Sequence, residues 1–374
     1  MTRPKPFKAA HASGDSWAQA VKACVVGLGT IEPSDTLGFV YATEALGDHI
    51  SSILAFLRQT TRVQHWVGAI APGVCACGVE YHEGAGLSVM VGALPPDSFQ
   101  VIPTLRDESL DMGAGTRQWI DSGPTVLGVV HGDPRNGRLP AIIGRLTEDT
   151  GCFLVGGLTG TEFEDTQVAD TPTGGGLSGV LLHGTVPVVV GLTQGCTPIG
   201  PVHTITEGMD NTVVALDGRP ALEVLKEDVG EVLARQLHRV AGYVHAGFPV
   251  DGSDRGDYIV RNLIGIDTTR GWLSVGAEVR IHDRLLFVRR DPNTAQADLR
   301  RMVRDVKARA RGSARGGHYV TCIGRGPNMF GSGGGELGMI REELGDLPIT
   351  GFYANGEISH GRLHGYTGVL TLFL

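Results

Sequence analysis

The chain has 374 residues, of which 41% are hydrophobic, and it carries a formal net charge of −8. This length allows two or three domains with well-buried cores, and the acidic balance argues against nucleic acid as a main partner, because phosphate binding depends on clustered Lys and Arg. No segment approaches the roughly 18 consecutive apolar residues of a membrane helix, and the amino terminus lacks the apolar stretch of a signal peptide, so we expect a cytoplasmic protein without a membrane partner.

Two residue types are informative beyond the charge. The six cysteines are scattered, which fits reduced thiols better than a disulfide framework, and no second Cys or His pair accompanies Cys75 and Cys77 at zinc-site spacing. The 56 glycines lie at the ends of apolar runs and indicate many tight turns. Glycine clusters at residues 156–157, 174–176 and 333–335 could offer backbone N–H groups to an anion. None has the sequence of a dinucleotide fingerprint or a P-loop.

The first part of the chain predicts a short extension followed by an α/β module. Residues 1–34 are predicted to form the extension and a first helix. Four apolar residues share the three-and-four spacing of an amphipathic helix face: Ile50, Ile53, Leu54 and Leu57. The predicted elements are a strand at residues 37–42, a helix at 48–62, a strand at 65–71, a turn region at 73–78 and a strand at 85–91.

A second module of the same kind follows. Its predicted elements are a strand at residues 125–130, a loop at 131–138, a helix at 139–150, a strand at 152–157 and a strand at 176–183. The polar stretch at residues 161–176 inside this module is either a lid or a long loop.

The middle of the chain changes character. Residues 186–192 are continuously apolar, as in a buried strand, and lead into a loop at residues 195–201. Pro220 is placed to open a helix, and we expect Asp217 to cap that helix. The basic run at residues 300–315 has apolar residues at helical spacing, which favours a solvated helix face over a nucleic-acid site.

The last sixty residues predict a third module. Its elements are a strand at residues 318–323, a glycine turn at 324–326, a helix at 336–344 that stops at Gly345, a strand at 349–354, a turn at Asn355-Gly356, a polar stretch at 357–364 and a closing apolar run at 366–374. In each of the three modules, a helix and a glycine-containing turn connect one apolar run to the next. This pattern predicts an α/β fold of mixed β-sheets covered by helices, built from repeated strand-helix-strand-strand modules, although many unrelated α/β chains share it.

The chain resembles the FIST family, which pairs a FIST N-terminal domain with a FIST C-terminal domain. The resemblance rests on five motifs: residues 195–201 (GCTPIGP), 216–222 (LDGRPAL), 322–326 (CIGRG), 351–358 (GFYANGEI) and 363–367 (LHGYT). It extends from about residue 35 to the C-terminus and implies domains at residues 35–193 and 194–374. It also implies a sensory protein that binds a small molecule, with amino acids suggested as ligands. We expect a separate signalling protein as the partner, since no output segment is attached.

Candidate ligand-binding residues come from two places. An amino-acid ligand needs a cation for its carboxylate and a carboxylate for its ammonium group, which Arg325 and Glu357 could supply. An alternative is that Arg325 and Glu357 pair with each other. The full candidate set comprises Arg325, Glu336, Asn355 and Glu357 in the third module, and Arg261 and Asn262 at the end of a strand predicted for residues 257–260.

Two other functions are open at the sequence level. A cysteine enzyme would use Cys196, which follows an apolar run and could be an exposed nucleophile. A haem-based gas sensor, as the resemblance implies for some relatives, would need an axial histidine, and no haem-attachment motif is present. The histidines at predicted strand ends or loops are His131, His183, His203, His360 and His364. We otherwise expect no cofactor.

Overall fold

The computed structural model of the protein describes residues 6–240, 242–250, 258–331 and 335–374. The chain divides into two units. The first comprises the residues up to Gln194 together with Gln296–Leu374, and the second comprises Gly195–Ala295. The second unit is therefore an insertion in the chain of the first.

The first unit contains three modules with one order of elements: strand, helix, strand, helix, strand, hairpin, strand. The first module consists of β1 (Lys8–Ser13), α1 (Trp17–Leu28), β2 (Asp35–Thr43), α2 (Ile50–Thr61), β3 (His65–Ala71), the hairpin β4 (Gly73–Ala76) and β5 (Val79–Tyr81), and β6 (Gly86–Ala93). The second consists of β7 (Phe99–Leu105), α3 (Gly113–Asp121), β8 (Thr125–Gly132), α4 (Leu139–Thr150), β9 (Phe153–Leu158), the hairpin β10 (Gln167–Ala169) and β11 (Thr171–Thr173), and β12 (Leu177–His183). The third begins with β13 (Val188–Gln194).

The inserted unit follows β13, and the third module resumes after it. The inserted elements are β14 (Cys196–Pro198), β15 (His203–Met209), β16 (Thr212–Leu216), β17 (Arg219–Pro220), α5 (Ala221–Ala234), α6 (Leu237–Val240), β18 (Val244–Pro249), β19 (Tyr258–Asp267), β20 (Trp272–Val275) and β21 (Arg284–Arg290). The third module then continues with α7 (Pro292–Ala310), β22 (Gly316–Cys322), α8 (Gly326–Phe330), α9 (Gly335–Leu344), β23 (Ile349–Ala354), the hairpin β24 (Glu357–Ser359) and β25 (Arg362–His364), and β26 (Thr367–Phe373).

The three modules build three six-stranded sheets of identical strand order. The orders are β1-β6-β2-β3-β10-β11, β7-β12-β8-β9-β24-β25 and β13-β26-β22-β23-β4-β5. In each sheet the second and third strands of the module are parallel neighbours: β2 and β3, β8 and β9, and β22 and β23. The last strand of the module pairs antiparallel with the second strand. The predicted internal repetition and the predicted α/β class with mixed sheets are thereby confirmed.

Each module gives its hairpin to the sheet of another module. The hairpin β4–β5 completes the third sheet, β10–β11 completes the first, and β24–β25 completes the second. No sheet of the three is therefore built from one module alone.

The inner faces of the three sheets share one hydrophobic core. Phe39 of β2, Val129 of β8 and Val320 of β22 all belong to it. Because side chains alternate along a strand, the neighbouring residues Val40 and Val130 face outward. Val40 packs in the core that includes α1 and α2, and Val130 packs in the core that includes α4.

The predicted carboxyl-terminal ends of α4 and α9 agree with the structure. Gly151 follows α4 with φ 67°, and Gly345 follows α9 with φ 78°. This left-handed conformation favours glycine and ends a helix. The basic run also behaves as predicted, since Met302, Val303 and Val306 of α7 are buried. None of the helices in the described ranges combines the length and apolar character that crossing a bilayer requires.

All three hairpins were missed from the sequence. The turn region predicted at residues 73–78 is wrong, because β4 pairs with β23. The stretch at residues 161–176 is neither a plain loop nor only a lid, because β10 pairs with β3, and the stretch at residues 357–364 contains β24 and β25. In each case the strand partner lies in another module, so local sequence does not reveal it.

The second unit is an antiparallel sheet that closes on itself. The pairing runs from β21 through β15, β16, β20, β19 and β18 and returns to β21. Leu222 and Leu225 of α5 pack with Val213, Leu273 and Phe287 in its core. The short strand predicted at residues 257–260 is instead the start of β19, and residue 257 lies outside the described residues.

The predicted domain limits agree with the units of the structure only in part. The division between residues 193 and 194 falls close to the start of the inserted unit, but residues 296–374 belong to the first unit. The predicted extension at residues 1–34 supplies β1 and α1, and β1 pairs with β6 in the first sheet.

Candidate functional site

A polar cleft opens at the carboxyl end of β8 in the second module. Its volume is about 640 Å³, and its lining consists of Arg106, Asp133, Arg135, Asn136, Gly137, Glu164, Asp165, Gly174 and Gly175. Loops at the carboxyl ends of parallel strands are the usual ligand sites of α/β folds. One wall is the loop between β8 and α4, and the other consists of the residues that flank the hairpin β10–β11.

Asp133 lies at the base of this cleft and is fully buried. Its carboxylate accepts hydrogen bonds from Arg135 Nε at 2.9 Å, Arg135 Nη2 at 2.5 Å and the backbone N–H groups of Arg135 and Gly175 at 3.0 and 2.8 Å. Burial alone would raise the pKa of Asp133, but these hydrogen bonds outweigh it and hold the pKa below its ordinary value. Asp133 therefore acts as an ionised support that orients Arg135.

Arg135 reaches from this support into the cleft, and its side chain is 40% exposed. Its Nη2 also donates to the carbonyl of Glu164 at 2.8 Å, which joins the two walls. Asn136 reinforces the junction by donating from Nδ2 to the carbonyls of Arg106 and Gly175 at 2.9 and 3.0 Å. The guanidinium of Arg135 is thus held in one orientation before any ligand arrives.

The cleft presents charges of both signs. The exposed cations are Arg106 and Arg135, and the exposed carboxylates are Glu164 and Asp165, which lie on the wall that faces Arg135. A small molecule with an anionic and a cationic group can contact both walls at once.

Two predicted site residues, Arg325 and Glu336, form a buried ion pair. Arg325 Nε and Nη2 lie 2.7 and 2.6 Å from Glu336 Oε1, and the two side chains are 1% and 0% exposed. Tyr319 and Thr321 donate to the same carboxylate at 3.0 and 2.6 Å. Arg325 thus pairs with Glu336 rather than with Glu357, the alternative considered from the sequence. The pair joins the start of α9 to the turn after β22, and Tyr319 and Thr321 join the same carboxylate to β22 itself.

The other two candidates of the third module, Glu357 and Asn355, differ in their exposure to solvent. Glu357 is fully buried and accepts hydrogen bonds from the N–H and Oγ1 of Thr367 at 3.0 and 2.7 Å. Burial raises the pKa of Glu357 to about 8, so its neutral form dominates at pH 7. Asn355 is exposed, and its Nδ2 donates to the carbonyl of Thr159 at 3.4 Å.

Arg261 and Asn262 belong to the second unit. They lie inside β19 and not at a strand end, opposite Ala246 and His245 of β18. Arg261 Nη1 donates to the carbonyl of Val260 at 3.0 Å.

The residues that line the cleft were not among the candidates predicted from the sequence. A local signal for one wall exists, because Asp133, Arg135 and Asn136 directly follow a predicted strand. The glycine cluster at residues 174–176 does supply an N–H group to an anion, but this anion is the protein's own carboxylate, because Gly175 N–H donates to Asp133. Glu164 and Asp165 carry no local signal, since only the hairpin β10–β11 brings them to this cleft.

The structure shows the surroundings of Cys196, the candidate nucleophile, and of His203, one of the candidate haem ligands. Cys196 lies in β14 and is 3% exposed, whereas a cysteine nucleophile needs an accessible thiol. His203 lies between Asp217 and Asp228 at 2.7 and 2.9 Å. The prediction that Asp217 caps α5 is therefore wrong, because its carboxylate accepts from His203 and from the N–H of Thr204. A haem ligand stays a prediction.

Comparison with known proteins places both halves of the chain in one family. The FIST N domain model matches residues 36–219, and the FIST C domain model matches residues 221–360. The uncharacterized protein MT0656 of Mycobacterium tuberculosis (strain CDC 1551 / Oshkosh) is 32% identical over 342 residues, which cover 87% of this chain and 88% of that protein. The uncharacterized protein Mb0898c of Mycobacterium bovis (strain ATCC BAA-935 / AF2122/97) is 30% identical over 356 residues, or 91% and 90% of the two chains. FIST domains are associated with sensory and signalling binding of small ligands. The chain belongs to the FIST family.

Proposed function

We propose that this protein is a cytoplasmic sensor that binds a small polar metabolite, with an amino acid as the favoured class, and signals to a separate protein. The observation that carries the proposal is the cleft of the second module. There, a buried Asp133 orients an accessible Arg135 opposite two exposed carboxylates.

The chemistry of the cleft matches a zwitterion. A guanidinium binds a carboxylate through charge-assisted hydrogen bonds, and Nη1 is the nitrogen that Arg135 can offer to a ligand, because its Nε and Nη2 already donate to Asp133 and Glu164. Arg106, whose Nη2 donates to the carbonyl of Gly174 at 3.3 Å, adds a second positive charge to the cleft. Glu164 and Asp165 supply the negative charge that an ammonium group needs.

The cleft is a better candidate than the predicted cluster of the third module. Arg325 and Glu336 neutralise each other behind a closed surface, so a ligand would have to separate a buried ion pair to reach them. Arg135 and the two carboxylates of the cleft are accessible without such a change. Ligand contacts by Arg325, Glu336, Asn355, Glu357, Arg261 and Asn262 stay predictions.

A thermal-shift screen against amino acids, related metabolites and haem tests the proposal. A binder at 100 times its Kd adds roughly 2.7 kcal/mol to the free energy of unfolding. We expect Arg135→Ala to weaken binding of the strongest amino-acid hit at least about tenfold, equivalent to about 1.4 kcal/mol. Arg145→Ala is the matched control, since Arg145 is 54% exposed on α4 and does not line the cleft.

The outcomes separate the competing sites. A hit that survives Arg135→Ala but is lost in Glu336→Gln would move the site to the third module. The absence of any binder, together with alkylation of Cys196 in the folded protein, would favour the enzyme alternative.

A further inference from the structure

Three polar atoms lie beneath the cleft without a hydrogen-bond partner among the described residues. They are His131 Nδ1, Gln167 Oε1 and Ser178 Oγ. All three residues are fully buried. A buried polar atom without a partner is destabilising, so native proteins seldom leave one unsatisfied.

The three side chains are neighbours. Gln167 Nε2 donates to the carbonyl of His131 at 2.8 Å. Ser178 lies directly opposite His131 in the pairing of β12 with β8, which places their Cβ atoms about 5 Å apart on one face of the sheet. That face is the inner one, because Val129 and Val180, two residues away on each strand, belong to the shared core.

The donor and acceptor character of the three atoms is complementary. Gln167 Nε2 donates to the carbonyls of His131 and Gly176, both at 2.8 Å, so Oε1 is the acceptor left over. Ser178 Oγ can donate and accept. Tyr41 Oη lies 3.0 Å from His131 Nε2. The tautomer of the imidazole ring decides whether the other nitrogen, Nδ1, donates or accepts a hydrogen bond.

We propose that these atoms bind one ordered water molecule, which donates to Gln167 Oε1 and bonds Ser178 Oγ and His131 Nδ1. Buried waters typically make about three hydrogen bonds to polar groups of this kind. Water is the ligand that fits, because it is small and neutral and can both donate and accept.

The repeated architecture supplies an internal comparison. Ser88 in the first sheet lies opposite Tyr41 as Ser178 lies opposite His131 in the second. Ser88 Oγ already has protein partners, the carbonyl of Cys75 at 3.1 Å and Thr350 Oγ1 at 2.6 Å. The hydroxyl of Ser178 occupies the same position of the repeat without them.

This site supports the floor of the cleft. The carbonyl of Gly176 accepts from Gln167 Nε2 and also from the N–H of Asp133, at 2.8 and 2.9 Å. Asp133 in turn orients Arg135. Gln167 and Gly176 therefore link the water to Asp133, the residue that supports the ligand-binding arginine, although the presence of the water does not depend on the proposed function.

A high-resolution crystal structure of the full chain is the direct test. We expect a density peak within about 3.2 Å of Gln167 Oε1 and at least one of the other two atoms. Its absence would overturn the proposal.

The variants Ser178→Ala and Ser88→Ala give a second, independent measurement. With the water in place, both variants remove a satisfied hydroxyl, and both unfolding midpoints fall by a few degrees. A dry site predicts instead that Ser88→Ala lowers the midpoint whereas Ser178→Ala leaves it unchanged or raises it, and that result would also overturn the proposal.

Discussion

At the scale of single residues, one hydroxyl group connects all three modules. Tyr41 of β2 lies 3.0 Å from His131 Nε2 of β8 and 2.6 Å from His318 Nε2 of β22. The three side chains are buried, and burial lowers the pKa of each histidine to about 3. Both rings are therefore neutral at pH 7, and with Tyr41 they form a polar cluster inside the shared core.

The carboxyl group of Glu357 makes stability depend on pH. Burial raises its pKa to about 8, whereas the ordinary value is 4.5. The folded protein therefore binds one more proton than the unfolded chain between these values, so wild-type stability falls as the pH rises from about 4.5 to 8. We expect Glu357→Gln to be more stable than wild type at pH 8 by a few kcal/mol, with a difference that shrinks by about 1.4 kcal/mol per pH unit on the way to pH 5.

Urea unfolding of both proteins at several pH values measures this difference. Taking the difference cancels the titration of every other group. A constant difference between pH 5 and pH 8 would contradict the neutral state of Glu357.

Because Arg325 and Glu336 form a buried ion pair, we expect single and double variants of the pair to differ strongly in stability. Arg325→Met leaves the Glu336 carboxylate buried without its cation, which costs about 3–5 kcal/mol of stability. The double variant Arg325→Met/Glu336→Gln removes both charges, and we expect it to recover most of the loss. Chemical unfolding of the wild type, both single variants and the double variant measures the coupling energy. Additive losses would show that the two side chains are not coupled.

At the scale of elements, the hairpin β10–β11 connects the cleft to the first sheet. Glu164 and Asp165 come shortly before β10, and Gly174 follows β11, so both ends of the hairpin line the cleft. Its tip is fixed on the other side, where Asp170 accepts from the N–H of Trp66 at 2.9 Å. A ligand that joins the two walls should therefore restrain this hairpin.

Hydrogen exchange measures that restraint. With a saturating ligand from the screen, we expect exchange in residues 164–175 to slow at least severalfold. The hairpins β4–β5 and β24–β25 occupy equivalent positions in the other sheets and serve as internal controls. Equal protection of all three hairpins would indicate general stabilisation rather than binding in this cleft.

The same elements show what sequence reasoning can and cannot reach. α4 and β23 have the predicted bounds, because helix periodicity and a continuous apolar run are local signals. β4 was predicted as a turn region, because its partner β23 lies more than two hundred residues away in the chain. The site divides in the same way: Asp133 and Arg135 follow a recognisable strand, whereas the hairpin alone brings Glu164 to them.

At the scale of the whole molecule, the inserted unit leaves and re-enters the first unit at adjacent points. Gln194 N–H and Thr193 Oγ1 both donate to Asp298 Oδ2, at 2.8 and 2.9 Å. Cys196 and Arg290 are direct partners in the pairing of β14 with β21. A two-residue turn can join such a pair.

Removal of the inserted unit should therefore leave the first unit folded. In the variant, residues 197–289 are replaced by Asn-Gly, so that Cys196 and Arg290 become the ends of a hairpin. We expect one cooperative thermal transition, because the three sheets and their shared core lie outside the deleted residues. Circular dichroism during heating measures this, and a broad transition without cooperativity would show that the first unit depends on the second.

The exchange of hairpins between modules also sets an order of events during synthesis. β4 and β5 are among the first strands made, but β4 pairs with β23, which is made near the end of the chain. At about 5–20 residues per second, the ribosome needs tens of seconds to reach that partner. The nascent chain therefore carries an apolar hairpin with unpaired strand edges for most of its synthesis, and these edges are open to pairing with other chains until β23 is made.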